Sequence, residues 1–183
     1  MSVVAAVALG SNLGSNLGAD TALGGGLDGA RLDFDGREGN LRLAVERVGA
    51  LGRVVKVSTF YDTAPVGVVE QPRFLNGALL LETELGPVEL LRRLLDVERG
   101  MGRDRAASGP KGPRVIDLDL LLFGEVVIET EELTVPHPAL RERRFVLEPL
   151  AEIAGGMVDP VTRKTVGELF DELEGEWVGI AAG

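Results

Sequence analysis

The sequence predicts an α+β fold with a mostly antiparallel sheet, an α/β sandwich. Three observations lead there. Runs with strand character and runs with helical periodicity interleave along the chain. Strand-loop-strand stretches break a strict β-α-β rhythm, which argues against a doubly wound parallel sheet. No composition shift or linker divides the 183 residues, so residues 1–183 form one domain, long enough to bury a core.

The elements follow in order. "VVAAVAL" (3–9) reads as a strand buried on both faces and stopped by Gly10. The next stretch, to residue 36, repeats Ser-Asn-Leu-Gly and is rich in glycine, so it is a loop. Residues 37–52 place Leu41, Val45 and Val48 at helical spacing. "RVVKVSTFYDT" (53–63) is a β-branched strand, and "RFLNGALLLETEL" (73–85) is its antiparallel partner across the loop "APVGVVEQP". Pro87 opens a helix whose buried face is predicted as Val88, Leu91, Leu94 and Leu95. A basic Gly/Pro/Ser-rich loop (103–114) leads into the strand "VIDLDLLLFG". Two short extended pieces around a turn follow (125–140), then short helices in "RERRFVLEPLAEIAG" and "VGELFDELEG".

A net charge of −10 argues against nucleic acid and anionic membrane as partners. The chain has no cysteine, so disulfides, thiolate nucleophiles and Cys-ligated zinc are excluded. The apolar N-terminus lacks the basic flank of a secretory signal, and no run is long enough to span a bilayer. A soluble, cytoplasmic monomer is the expectation.

Chemistry concentrates around residues 99–145. Alternation along a strand turns Ile116, Leu118 and Leu120 one way and Asp117 and Asp119 the other, the two acids roughly 7 Å apart. Two carboxylates this close repel each other unless a cation neutralises them, and Mg²⁺ suits a pair of carboxylates completed by waters and phosphate oxygens. A solvated face would carry the same Asp-x-Asp pattern. Upstream, however, Arg99, Arg103, Arg105, Lys111 and Arg114 surround a single acid, Asp104, in an otherwise anionic chain. Guanidinium groups grip phosphate, and acids with cations together point to phosphoryl-transfer chemistry. No Walker-type motif is present. The sole histidine, His137, stands between two prolines and serves either structure or phosphate contact. Phe74 and Phe145 are either plain core or a clamp for a flat heterocycle, with Asn76 supplying donor and acceptor at its edge.

The blocks "VALGSNLG", "STFYDTAPVG", "QPRFLNGALLLET", "GPRVIDLDLLLFG", "LTVPHPAL" and "RRFVLEPLAEI" occur in the order of the 6-hydroxymethyl-7,8-dihydropterin pyrophosphokinases of folate biosynthesis, which the chain resembles over residues 3–14 and 37–155. The resemblance implies a ferredoxin-like α/β sandwich with mobile active-site loops. The implied enzyme is an ATP-dependent diphosphotransferase with ATP and the hydroxymethyl-dihydropterin as substrates. It further implies two Mg²⁺ on Asp117 and Asp119, and phosphate-binding and catalytic roles for Arg103, Arg105, Arg114 and His137. Nucleotide contacts would come from Leu91, Glu98, Leu120, Leu133, Thr134, His137 and Arg143. The pterin site would be Thr63, Pro65, Val66, Phe74, Asn76 and Phe145. Three departures stand out: residues 15–36 form an insertion, Lys111 occupies a catalytic-loop position where some members have Trp, and Phe74 replaces a Tyr. The match fades after about residue 156.

Overall fold

A computed structural model describes residues 1–13, 36–65, 72–103, 113–173 and 180–181. The predicted insertion lies outside them except for Gly36, its last residue, which already belongs to the first helix. The chain order is β1 (Val3–Ser11), α1 (Gly36–Val48), a 3₁₀ turn (Gly49–Leu51), β2 (Arg53–Val57), β3 (Tyr61–Thr63), β4 (Phe74–Thr83), α2 (Pro87–Gly100) and β5 (Asp117–Phe123). It continues through β6 (Ile128–Glu129), β7 (Thr134–Val135), α3 (Arg144–Ala154), α4 (Val166–Glu172) and β8 (Ile180–Ala181). No helix among the described residues is long and apolar enough to cross a membrane.

The main sheet runs β5–β1–β4–β3–β8, with β2 also paired to β4, and its pairings are antiparallel. Two split β-α-β units interleave to give this order. One passes from β1 through α1 to β2 and β3. The other passes from β4 through α2 to β5. Each crossover skips one strand, which leaves β5 at an edge.

The predicted single strand 53–63 is two strands sharing one edge of β4. The break falls at 58–60, where the Ser58 hydroxyl accepts a hydrogen bond from the Ala78 N–H and the Ser58 N–H donates to the Ala78 carbonyl, both at 2.9 Å. Gly77 is the enabling residue: a Cβ there would stand 2.7 Å from the Phe60 ring.

Side-chain alternation gives the sheet two cores. Ala5, Val7 and Leu9 of β1 pack with Leu79, Leu81, Leu118 and Leu120 against α1 and α2. Ala6 and Ala8 pack with Ala78, Leu80, Leu121 and Leu122 against α3 and α4. Leu121 and Leu122 share the second face because the β1–β5 register slips between Ala6 and Val7, leaving Leu121 as the extra residue of a bulge. The C-terminal helices therefore add a third layer to the predicted sandwich. The buried stripe of α2 also differs from expectation, being Leu90, Leu94 and Glu98, with Leu91 and Leu95 only half-buried. Ile116 points with Leu118 and Leu120 into the first core, as strand alternation requires.

Two glycines give a paired test of this packing. A Cβ on Gly52 would lie 2.3 Å from the Glu82 carbonyl oxygen, whereas one on Gly39, in helix α1, would meet nothing within 4 Å. Gly52→Ala should lower unfolding free energy by about 1–3 kcal/mol. Gly39→Ala should raise it by roughly 0.5–1 kcal/mol. Urea midpoints of the two variants measure both shifts.

Candidate active site

The register of β1 lays out the floor of the site. Gly10 pairs with Asn76 on one side and Asp117 on the other, and Ala8 pairs with Ala78 and Asp119. Directly opposed residues share a face, so Asn76, Asp117 and Asp119 stand on the face covered by α3. Between them β1 offers only alanine and glycine. A Cβ at Gly10 would come within 3.2 Å of Asn76 Oδ1 and 3.8 Å of Asp117 Cβ, so the low floor depends on its absence. Across β4, Tyr61 opposes Asn76 and Thr63 opposes Phe74, extending the row. The Asn76 amide donates to the Thr63 hydroxyl at 2.6 Å, and both residues are nearly buried.

The two aspartates differ sharply in their partners. Asp117 is gripped on both oxygens, Oδ1 by Arg103 and Oδ2 by Arg114 at 2.5 Å. Behind Arg103 lies Glu98, only 1% exposed, which accepts from the guanidinium at 2.6 Å and from the Leu118 N–H at 2.7 Å. Among the described residues the four charges form a partly buried, balanced set, the arrangement that lets ions leave water at tolerable cost. Asp119 makes no hydrogen bond or ion pair with another described residue. Burial, and then the Asp117 charge, push its carboxyl above the usual carboxylate range, while His137, Arg103 and Arg143 pull it partly back. An acid that needs a positive partner thus stands beside one that already has two. This asymmetry fits a hard cation: Asp119 and Asp117 supply carboxylate oxygens on one strand face, leaving the rest of the shell to water and ligand oxygens.

On the opposite wall, His137 is fixed by its N–H to the Leu121 carbonyl at 2.9 Å. Its Nδ1 accepts from the Ala139 N–H at 3.1 Å, which leaves Nε2 to carry the proton and to donate. Arg143 is exposed at the start of α3, its guanidinium 5.8 Å from the centre of the Phe145 ring. Arg114 lies 5.7 Å from the centre of the Phe74 ring while it holds Asp117. Each ring therefore has a cation over it, a contact a flat heterocycle could replace.

Sequence reasoning missed the residues that hold the loop stems. Asn12, nearly buried, accepts from the Arg114 N–H at 2.7 Å and donates to the Pro72 carbonyl at 3.3 Å. Asn40 of α1 donates to Ser11 Oγ, the Leu13 carbonyl and the Val115 carbonyl. Tyr61, its hydroxyl pushed up to about 12 by burial and then by Glu152, and the Thr59 N–H both bond Glu152 of α3. For Asn40 the available signal was an amide on the helix stripe it shares with Ala44 and Val48.

The structure thus brings together Thr63, Phe74, Asn76, Asp117, Asp119, Arg103, Arg114, His137, Arg143 and Phe145 on one side of the sheet. Leu91, Leu120 and Leu133 gather in the core on the other side, near the β5 edge, with Thr134 half-buried next to Leu133. Pro65 is half-buried at the end of a described stretch. Val66, Arg105 and Lys111 lie outside the described residues.

Paired carboxylates and guanidinium groups on the same sheet face as Asn76 and Thr63, with Phe74 and Phe145 alongside, define a domain suited to a phosphate-bearing small molecule and a flat partner. A model of the 7,8-dihydro-6-hydroxymethylpterin-pyrophosphokinase (HPPK) family matches residues 6–155, and the chain belongs to that family. The chain is 50% identical over 119 residues to the 2-amino-4-hydroxy-6-hydroxymethyldihydropteridine pyrophosphokinase of Bacillus subtilis, covering 64% of this chain and 70% of that one. Against the Schizosaccharomyces pombe folic acid synthesis protein fol1 it is 42% identical over 126 residues, which is 69% of this chain but only 17% of that much longer protein. The fold matches the Plasmodium falciparum HPPK-DHPS structure with a TM-score of 0.67 at 15% identity, over 94% of this chain and 44% of that one.

Asp119 supplies a test of the site's electrostatics. Because its folded-state pKa is raised, its stabilising contribution is full below the unfolded value of about 3.9 and is lost as pH rises through the folded value. At neutral pH the ionised carboxylate therefore opposes folding. Asp119→Asn should raise the melting temperature of the ligand-free protein at pH 7 by about 2–4 °C, and the gain should vanish at pH 3.

Proposed function

We propose that this protein transfers pyrophosphate from ATP to the hydroxymethyl group of 6-hydroxymethyl-7,8-dihydropterin, giving the pterin diphosphate and AMP. The observation that carries the reading is the unequal pair on β5, an Asp119 without an ionic partner among the described residues beside an arginine-gripped Asp117, on the same sheet face as Asn76. Family membership and relatives named as pyrophosphokinases support it. Mg²⁺, as two ions by family resemblance, would be held by Asp117 and Asp119 and would screen the triphosphate charge and polarise the transferring group.

The remaining chemistry belongs to the protein's own side chains. Arg103 and Arg114 exchange their grip on Asp117 for phosphate oxygens. His137 donates from Nε2, and Arg143 adds a cation over the same region. The Asn76 amide reads the pterin edge, while Phe74 and Phe145 stack on its faces in place of the arginines now over them. The pterin hydroxyl oxygen attacks the β-phosphorus in line as the bond to the α-phosphate oxygen breaks, AMP departs and the hydroxyl proton is released to solvent. Orientation with charge stabilisation supplies the rate. No covalent intermediate is needed. Leu91, Leu120, Leu133 and Thr134 would receive the adenosine at the β5 edge, with Glu98 holding Arg103 from behind. Val66 and Arg105 complete the proposed pterin and phosphate contacts. We propose residues 1–183 as a single pyrophosphokinase domain, acting as a cytoplasmic monomer.

Incubation with Mg-ATP and the hydroxymethyl-dihydropterin should release AMP and pterin diphosphate one for one. ADP as product, or turnover only with other alcohols, would replace this reading with that of a different phosphotransferase. Asp117→Ala and Asp119→Ala should each lower kcat by at least about 10²-fold while near-ultraviolet circular dichroism stays native.

A further inference from the structure

We propose that Arg141 and Asp159 form a positioning pair that fixes the segment carrying His137 and Arg143 against the site. The proposal rests on the pyrophosphokinase reading for its nucleotide readout, but its geometry stands independently.

Asp159 is completely buried, and it lies beyond residue 155, where the family match ends. Its carboxylate accepts four hydrogen bonds: Arg141 Nε at 2.6 Å, Arg141 Nη2 at 3.0 Å, the Val161 N–H at 3.0 Å and the Thr162 hydroxyl at 2.8 Å. The turn that carries it is closed on itself, by Asp159 N–H to the Lys164 carbonyl and Arg163 N–H to the Asp159 carbonyl, both at 2.8 Å. Arg163 has a φ of 63°, and the Val158–Thr165 bridge and the Val166 N–H bond to Met157 anchor the turn to the start of α4. A bidentate guanidinium–carboxylate pair sets orientation as well as distance, so Arg141 takes its place from a rigid acceptor.

Arg141 stands four residues after His137 and two before Arg143. The segment between them has hydrogen bonds of its own at each end. His137 is tied to Leu121 and accepts from the Leu140 N–H at 3.0 Å, Leu140 is buried in the second core, and the Arg143 carbonyl accepts from Val146 and Leu147. In the middle the Glu142 N–H reaches the Ala139 carbonyl only at 3.3 Å, so the Arg141 side chain is the tie between this stretch and the Asp159 turn. His137 and Arg143 both act electrostatically on Asp119, so a shift of this segment moves two cationic or donor groups relative to the acids at once. The pair touches no reacting atom in this arrangement. Its role is to place groups that do.

The test uses Arg141→Gln, Arg141→Lys, Asp159→Asn and the Arg141→Gln/Asp159→Asn double variant in the full chain. His137 is the sole histidine, so its imidazole proton resonance reports the segment without assignment. A magnesium complex of a non-hydrolysable ATP analogue supplies the second readout. The resonance should move in Arg141→Gln and in Asp159→Asn. Analogue affinity should fall about tenfold in each, with the double variant no weaker than the worse single one, and about threefold in Arg141→Lys. Folded variants that lose melting temperature but keep the wild-type resonance and analogue affinity would overturn the proposal. Should Asp159→Asn fail to fold, Arg141→Gln decides alone, since its side chain is 31% exposed and its loss leaves Asp159 bonded within its own turn. If the wild-type protein itself bound no analogue, the pyrophosphokinase reading would fall, and an unmoved His137 resonance in Arg141→Gln would still overturn the positioning pair.

Discussion

The hold of Arg103 and Arg114 on Asp117, with Glu98 buried behind Arg103, is the constraint around which the site is organised. Ions in a half-dry setting each cost several kcal/mol unless paired and hydrogen-bonded, and among the described residues this set is matched charge for charge. Glu98 also accepts from the Leu118 N–H, so the network is tied to the edge strand whose other face carries the second acid. Helix α2, strand β5 and the stems of the basic loop are thereby held in one register. Asp119 is left as the only one of the two strand acids without an ionic partner among the described residues. The resting protein therefore holds its compensating cations on one carboxylate and leaves the adjacent one demanding charge.

That demand conflicts with stability, and the sheet bears it because the apolar cores lie away from Asp119. The first core lies on the opposite face, where Leu118 and Leu120 pack with α1 and α2. On the site face the apolar packing of α3 and α4 lies beside the acids, over Ala6, Ala8, Leu121 and Leu122. The bulge at Leu121 separates the two halves of β5: upstream of it the strand presents acids, and downstream two consecutive leucines close the core. Small residues on β1 serve both halves, letting α3 approach at Ala6 and keeping the floor low at Ala8 and Gly10.

Much of this was legible in the sequence. Alternation in "VIDLDLLLFG" separated core leucines from site acids, since a period of two admits no other assignment once one face is buried. The ordered blocks identified the family, and the family model covers 150 of the residues, 6–155. The α2 face was expected as Val88, Leu91, Leu94 and Leu95, because apolar spacing does not show that Glu98 is buried. Only the approach of Arg103 and the Leu118 N–H makes that position buried. The strand break at 58–60 was hidden for a similar reason, because Thr59 and Phe60 are themselves strand formers while the cause, Phe60 over Gly77, involves another strand.

Local pattern by itself determined the α+β class, the faces of the β5 side chains as far as the bulge at Leu121 and the presence of an acid pair fed by a basic loop, because these follow from period, charge and chain order alone. Which acid is compensated, which amides pin the loop stems, and how a turn beyond the family match reaches back to Arg141 were decided only in the tertiary structure. Those outcomes depend on hydrogen bonds between residues as far apart as Asn12 and Arg114, and no local pattern encodes such pairings.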